Sequence, residues 1–437
     1  MNISIIGAGY VGLVTGACFA EFGMDVLCMD IDEGKVDKLS KGVLPVYEPD
    51  LSGILVENIS GRLRFTSSIK EAVFFSDIIF IAVNTPTKDD GASDLSRVFS
   101  VGKDIAHHMQ EYKLIVNKST VPVFTGRALK EVVNNCLEQQ NKHISFDIVS
   151  NPEFLQEGSA VKNFINPDRI VIGYESERAL QLMKRIYSIQ IARGIPLVLT
   201  NIETAELIKY ASNAFLATKI SFINEMANIC ERCGADVVTV AHAMGLDDRI
   251  GQKFLQAGPG FGGSCFPKDT KALMGIGKKI KYTPRIIGSV IRVNNRQRKL
   301  ACLKIKRLMK SLDNRVVAVL GISFKPDTDD IRESPSIEII KYLLNNKAIV
   351  KAYDPQAMEN AKELHPDLNV QYCYDMYSAC EGSDCVVLST EWEEFRDMDF
   401  LRLKGIVRTP VFVDLRNVFE PGRLKNLGFT YEGVGRK

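Results

Sequence analysis

Ile3-Ser4-Ile5-Ile6-Gly7-Ala8-Gly9-Tyr10-Val11-Gly12 opens the chain. The apolar residues suit a strand, the glycines at G-x-G-x-x-G spacing suit a tight turn, and Leu13 to Phe22 then reads as a helix stopped by Gly23. A second apolar run, Val26 to Met29, ends on Asp30, about 20 residues after the turn. Strand, glycine turn, helix and acid-ended strand together are the dinucleotide-binding context. Gly7, Gly9, Tyr10, Val11 and Gly12 would seat a pyrophosphate at the helix N-terminus, where unpaired N–H groups favour negative charge. Asp30 would accept hydrogen bonds from a ribose diol and repel a 2′-phosphate, so NAD is expected over NADP; Lys35 weakens that preference slightly.

The same grammar continues downstream. Ile78 to Val83 leads to Asn84-Thr85-Pro86, Leu114 to Val116 leads to Ser119-Thr120, and Asp147 to Val149 leads to Asn151-Pro152-Glu153 and on to Glu157. In open parallel sheets ligands bind outside the carboxyl ends of the strands, so Asp30, Thr85, Thr120, Glu153 and Glu157 are expected to converge. Any one of them could be a cap or turn residue; five at the same end favour a site. Ile170 to Gly173 and Leu197 to Leu199 are read as completing this first domain.

A chain of 437 residues predicts two or three domains, and 46% hydrophobic with 25% charged residues is a globular composition. The net charge of +2 gives no electrostatic case for nucleic acid or an acidic membrane surface. No apolar run approaches a membrane span and no signal peptide is seen, so a cytoplasmic location is expected. The ten cysteines are scattered, mostly in apolar runs, as reduced interior thiols are; Cys230 and Cys233 lack a second pair to complete a zinc site. The five histidines share no ligand spacing, and no metal is expected.

Thr200-Asn201-Ile202-Glu203 matches a capping box, and no proline or glycine comes after it until Gly234. The resulting helix, roughly 50 Å long, is read as a spine joining two domains. Lys209 and Asn213 share a face, with Asn224 near it, while Tyr210, Phe215 and Phe222 suggest burial around most of the circumference. Beyond Arg249 comes Gly260-Phe261-Gly262-Gly263-Ser264-Cys265-Phe266-Pro267-Lys268-Asp269. Glycines admit close backbone approach and the neighbouring charges could tune a thiol, so Cys265 reads as a nucleophile; a tight turn could equally hold a small packed thiol. Arg292, Arg296, Arg298 and Lys299, on the helical region that runs to about Met309, read as a solvated basic face.

From Arg315 a second α/β region partly repeats the first. Val316 to Leu320 is strand-like, Ile349 to Tyr353 ends on Asp354, and Ser383-Asp384 precedes Cys385 to Leu388 as Ser76-Asp77 precedes Ile78. Gly321-Ile322-Ser323-Phe324-Lys325-Pro326 lacks the glycine fingerprint, so no second dinucleotide is expected. Lys325 and Arg416, after two strands of this region, suit a diphosphate, and Arg332 stands among Asp327, Asp329 and Asp330. The fold class expected is α/β, two doubly wound Rossmann-like domains joined by a long helix, divided at 1–200, 201–312 and 313–437.

Taken in order, Gly7 to Gly12, Val83 to Pro86, Lys118 to Val121, Pro152 to Gly158, Pro167 to Arg169, Lys209 to Phe215, Gly260 to Asp269 and Phe324 to Ser334 carry a resemblance. End to end, the chain resembles the UDP-glucose 6-dehydrogenases, within the larger family of nucleotide-sugar dehydrogenases. The resemblance implies a four-electron oxidation of a sugar primary alcohol to a carboxylate, with two NAD reduced in succession, UDP-glucose as substrate and a homodimer. GDP-mannose or a UDP-N-acetylhexosamine is the alternative substrate. It implies Cys265 as the nucleophile, Lys209 and Asn213 on the developing oxyanion, Thr120 and Asp269 holding water or base, and Glu153 as acid/base. It places Gly9, Val11, Gly12, Asp30, Lys35, Thr85, Thr120, Glu157, Lys268 and Arg332 around NAD. Around the nucleotide sugar it places Glu153, Phe154, Leu155, Glu157, Lys209, Asn213, Phe254, Leu255, Gln256, Ala257, Gly258, Gly262, Phe324, Lys325 and Arg416, with Arg249 reaching a neighbouring subunit. One departure is visible: Gln156 stands where the family favours arginine.

Overall fold

A computed structural model describes residues 1–88 and 91–436. It divides into two units, Met1–Ser212 with Lys278–Ile280, and Asn213–Gly277 with Lys281–Lys437. The first is built on strands β1 (Asn2–Ile6), β2 (Asp25–Met29), β3 (Leu63–Thr66), β4 (Ile78–Ile81), β5 (Lys113–Asn117), β6 (Phe146–Ser150), β7 (Ile170–Gly173) and β8 (Leu197–Thr200). Their order is β3-β2-β1-β4-β5-β6-β7-β8, parallel from β3 to β6, with β7 antiparallel to β6.

These strands are short apolar runs because both faces are covered. Ile3, Ile5, Val26 and Cys28 point into one buried cluster, whereas Ile6, Leu27 and Met29 point into the cluster on the other face. That alternation is the period of two imposed by the pleat. The reversal of strand order at β1 and β4 places the carboxyl ends of β2, β1, β4, β5 and β6 along one edge, the position where such sheets bind ligands.

The second unit repeats the plan with β9 (Val316–Leu320), β10 (Ile349–Tyr353), β11 (Val370–Tyr372), β12 (Cys385–Leu388), β13 (Val411–Asp414) and β14 (Thr430–Glu432), all parallel in the order β11-β10-β9-β12-β13-β14. The repeat extends to single hydrogen bonds. Gly7 N–H donates to the Met29 carbonyl (2.8 Å) and Gly321 N–H to the Tyr353 carbonyl (2.9 Å). Ala8 N–H donates to Asp30 Oδ2 (3.0 Å) and Ile322 N–H to Asp354 Oδ2 (2.7 Å). Both glycines hold positive φ, 103° and 92°. Beyond the turn the two units diverge: Tyr10–Glu21 is a helix, whereas after Gly321 the next helix waits until Pro335–Asn345.

The long helix runs over Ile202–Cys233 and ends at Gly234, φ 79°. Three expectations about the helical elements are corrected. The residue whose side chain caps the long helix is Asn201, whose Oδ1 accepts the Thr204 N–H (2.8 Å), because Thr200 is the last residue of β8 and the helix starts only at Ile202. Phe215 and Phe222 are 66% and 43% exposed, so the helix keeps an open apolar stripe and is not enclosed all round. Arg298 is buried and ion-paired, unlike its exposed neighbours Arg292, Arg296 and Lys299, because Glu333 and Glu338 from a distant segment face it. No helix among the described residues is long and apolar enough to cross a membrane.

Candidate functional site

In the first unit the glycine turn has no room for side chains at Gly7 and Gly12. A Cβ at Gly12 would lie 1.8 Å from the Gly7 carbonyl oxygen, and one at Gly7 would lie 2.7 Å from that of Ala82. The helix Tyr10–Glu21 starts at Gly9 with no side-chain cap and no acid in its first turn, leaving its N–H groups to serve an anion. Asp30 directly follows β2 beside this turn, its Oδ2 bound by Ala8 N–H and Lys35 Nζ (2.8 Å) and its Oδ1 by Asp32 N–H. This geometry fits a dinucleotide pyrophosphate and ribose.

Thr85 and Thr120, from the ends of β4 and β5, are brought together: Thr85 Oγ1 donates to the Thr120 carbonyl (2.9 Å). Glu157 lies in the turn after β6, close to Tyr10, and that turn is tied back by a residue the sequence reading missed. Glu48, 4% exposed, accepts from Tyr10 Oη and from the N–H groups of Gly158 and Ala160, both at 2.6 Å. Nothing in the Pro-flanked local sequence around Glu48 signals this role.

Glu153 and Lys209 form a buried ion pair, Nζ to Oε1 3.0 Å, with side chains 6% and 4% exposed. Burial alone would push the Glu153 carboxyl up; the Lys209 ammonium and the Leu155 N–H outweigh it and hold it below the usual carboxylate range. Phe154 lies beneath two cations, Lys209 Nζ at 5.5 Å and Arg169 at 3.9 Å from its ring centre. Leu155 borders the same small cavity, about 40 Å³, into which Glu153, Arg169, Lys118, Asn151 and Tyr187 open. Lys118, Asn151 and Tyr187 were not expected there. Lys118 Nζ donates to Asn151 Oδ1 (3.1 Å), and burial lowers its ammonium to about 8.

In the second unit Cys265 sits at the start of the helix Phe266–Lys279, its carbonyl accepting the Asp269 N–H (2.8 Å). Gly260 and Gly263 hold positive φ, 109° and 83°. A Cβ at Gly262 would meet the Glu333 carbonyl oxygen at 2.3 Å, and one at Gly263 the Phe324 ring at 2.8 Å. The loop therefore needs its glycines for contact with the segment that carries Phe324, Arg332 and Glu333. Asp269, 1% exposed, is gripped by Asn213 Nδ2 and Lys268 Nζ, both at 2.6 Å. Asn213 and Lys209 are one turn apart on the long helix.

Leu255, Gln256, Ala257 and Arg416 line a cavity of about 250 Å³ in the second unit. Gly258 is pinned there by Asn224 Oδ1 and Gln297 Nε2, each at 2.8 Å, and Phe254 adopts φ 65°. The Arg416 guanidinium is engaged by protein: it donates to the carbonyls of Ser389 (2.7 Å) and Phe324 (2.9 Å) and pairs with Glu391. Lys325 Nζ lies 5.7 Å from the Phe324 ring centre. Arg332 forms a fork with Asp330, two contacts of 2.8 Å, and Arg249 is exposed and forked onto Asp247. Cys230 and Cys233 join no cluster of metal-ligating side chains among the described residues.

Comparison with known proteins extends over the whole chain. Residues 1–191 match the NAD binding domain of the UDP-glucose/GDP-mannose dehydrogenase family, residues 203–296 its central domain, and residues 318–421 its UDP binding domain. The chain is 47% identical over 436 residues to UDP-glucose 6-dehydrogenase TuaD of Bacillus subtilis, covering 100% of this chain and 93% of that protein. It is also 47% identical over 441 residues to a UDP-glucose 6-dehydrogenase of Rhizobium meliloti, with complete coverage of both. The solved structure of a UDP-glucose dehydrogenase from Pyrobaculum islandicum superposes with a TM-score of 0.91 at 38% identity, over 100% of this chain and 98% of that one. Fold, glycine cradle and full-length similarity agree, and the chain belongs to the UDP-glucose/GDP-mannose dehydrogenase family.

Proposed function

We infer that this protein is an NAD-dependent oxidoreductase that converts the primary alcohol of UDP-glucose to the carboxylate of UDP-glucuronate, a four-electron oxidation. The observation that carries the chemistry is the thiol of Cys265 at a helix start, one turn from a carboxylate held by Asn213 and Lys268. Binding alone requires no such group. The names borne by relatives of 47% identity support the choice of sugar.

When bound by Gly7 to Gly12, Asp30, Lys35, Thr85 and Glu157, NAD supplies the hydride acceptor, one for each of two oxidations. The alcohol first becomes an aldehyde, which yields no second hydride readily until a nucleophile adds. As the thiolate, Cys265 Sγ forms a bond to that carbon while the carbonyl electron pair moves onto oxygen, giving the oxyanion of a thiohemiacetal. Lys209, with Asn213, stabilises the negative charge on that oxygen. Oxidation of the adduct leaves a thioester on Sγ. Water, held by Thr120 and Asp269, then adds to the acyl carbon, the C–S bond breaks, and the sulfur leaves as thiolate. Glu153 takes the proton from the water, a role suited to a carboxyl held ionised by Lys209.

The division of labour runs along the chain: residues 1–200 hold NAD, 201–312 supply Lys209, Asn213 and Cys265, and 313–437 hold the nucleotide through Phe324, Lys325 and Arg416. The protein acts as a homodimer in the cytoplasm. Support for the dimer comes from the long helix, where Leu207, Phe215, Phe222 and Ile229 are exposed at intervals that keep them on one stripe. Light scattering on the purified protein checks this reading, and a monomer at micromolar concentration counts against it.

The functional test is stoichiometric. Each UDP-glucose should yield two NADH, and Cys265→Ser should stop after the first oxidation or trap a covalent ester. A ratio of one in the wild type, full turnover by the serine variant, or activity on GDP-mannose or a UDP-N-acetylhexosamine but not on UDP-glucose overturns the assignment.

A further inference from the structure

The cysteine loop is held from behind by a side chain that belongs to an otherwise solvated basic strip. Arg298, on the helix Arg285–Met309, is 4% exposed. Its Nη2 donates to the carbonyls of Phe261 (2.7 Å) and Glu333 (2.8 Å), and its Nη1 pairs with the carboxylates of Glu333 (3.3 Å) and Glu338. Asn294, one turn earlier on the same face, completes the grip: its Oδ1 accepts the Phe261 N–H (2.8 Å) and its Nδ2 donates to the Phe261 carbonyl (3.1 Å). Both backbone groups of Phe261 are thereby fixed, four residues before Cys265. On the far side, Gly263 N–H donates to the Arg332 carbonyl (2.9 Å), so the same guanidinium that seizes the loop also seizes the segment it leans on.

Burying a guanidinium is costly, and a hydrophobic residue of similar size would commonly stabilise a core as well or better. What an arginine offers here is a planar set of donors that can reach two carbonyls and two carboxylates at once, which a lysine ammonium cannot reproduce. We propose that Arg298, together with Asn294, is a positioning residue for Cys265: it fixes the loop so that the sulfur meets the aldehyde carbon, and it serves the second oxidation without serving the first. The proposal rests on the reading of Cys265 as the nucleophile. Its selectivity derives from that reading, since no bond to sulfur forms during the alcohol oxidation, whereas a misplacement of about 1 Å costs on the order of 100-fold in a step that does form one.

The test separates the two oxidations in Arg298→Lys and Asn294→Ala. NADH release is followed in single turnovers from UDP-glucose and from its 6-aldehyde, with semicarbazide present to trap free aldehyde. Both variants should oxidise the aldehyde at least 30-fold more slowly than wild type, hold the first oxidation and the KM for UDP-glucose within threefold, and accumulate trapped aldehyde. Equal slowing of both oxidations, which a merely structural role would give, or no slowing of either, overturns the proposal. Cys265→Ala is run alongside. If it still yields two NADH per sugar, the functional reading itself fails; if it stalls at the aldehyde while both loop variants run at the wild-type rate, only the positioning role fails. Should Arg298→Lys not fold, Asn294→Ala, which removes hydrogen bonds and no charge, decides on the same readout.

Discussion

A methyl group added at Gly262 would lie 2.3 Å from the Glu333 carbonyl oxygen, 3.0 Å from its carbon and 3.1 Å from the Pro335 ring. A carbon settles against a carbonyl oxygen at about 3.3 Å, so Gly262→Ala requires a relative shift of roughly 1 Å. The Glu333 carbonyl cannot easily recede, because Arg298 holds it at 2.8 Å and Glu333 itself occupies a left-handed conformation, φ 52°. The cysteine loop must yield instead. Overpacking of this size costs about 1–3 kcal/mol of stability, and a 1 Å displacement of Cys265 in the proposed role of nucleophile costs on the order of 100-fold in rate, about 2.7 kcal/mol of barrier. Gly275→Ala is the matched control, since its Cβ meets nothing within 4 Å on the helix Phe266–Lys279 and should stabilise by about 0.5–1 kcal/mol. The assay is kcat for NADH production with both substrates saturating, with thermal denaturation of each variant in parallel. A Gly262→Ala enzyme within threefold of wild-type kcat would refute the view that this contact sets the position of Cys265.

Other consequences are open to measurement. Lys209→Met strands the buried Glu153 carboxylate and should cost about 3–5 kcal/mol, whereas the double variant Lys209→Met/Glu153→Met should recover much of the loss; equal denaturation midpoints for single and double variants would contradict the pairing. Asp30→Ala should erode the preference for NAD over NADP, and an unchanged ratio of kcat/KM values would count against the placement of Asp30 at the ribose. Glu206, buried on the long helix and bound by the N–H groups of Phe124 and Gly126, is pushed up to about 7, burial outweighing those bonds. Its folded form therefore keeps a proton that the unfolded chain has lost between about pH 4.5 and 7, so stability falls as pH rises through that window. Glu206→Gln should flatten this part of the curve in urea midpoints at pH 5 and 7.5; parallel curves would refute it.

Much of the fold was legible because its signals are local. Glycine at fixed offsets, an acid at the end of the second strand and the run of thirty-odd residues without a helix breaker each declare an element within one segment, and each stands as read. The Asp30 and Asp354 turns repeat down to individual hydrogen bonds for the same reason. Burial was harder to read. Phe215 and Phe222 suggest a core by their chemistry and lie open, while Arg298 suggests a surface and lies buried. Glu48 and Tyr187 carry no local pattern, and the motifs that hold Lys118 and Asn151 do not show their contacts, since the partners come from segments tens of residues away.

The sequence by itself determined the two Rossmann-like units, the glycine cradle and the cysteine loop, because backbone conformation and side-chain period are set by neighbours along the chain. Tertiary structure alone decided which charges are buried and what they hold: Glu153 on Lys209, Asp269 between Asn213 and Lys268, Arg298 behind Phe261. A charge leaves water only where all its partners are supplied at once, and for each of these groups at least one partner comes from a distant segment.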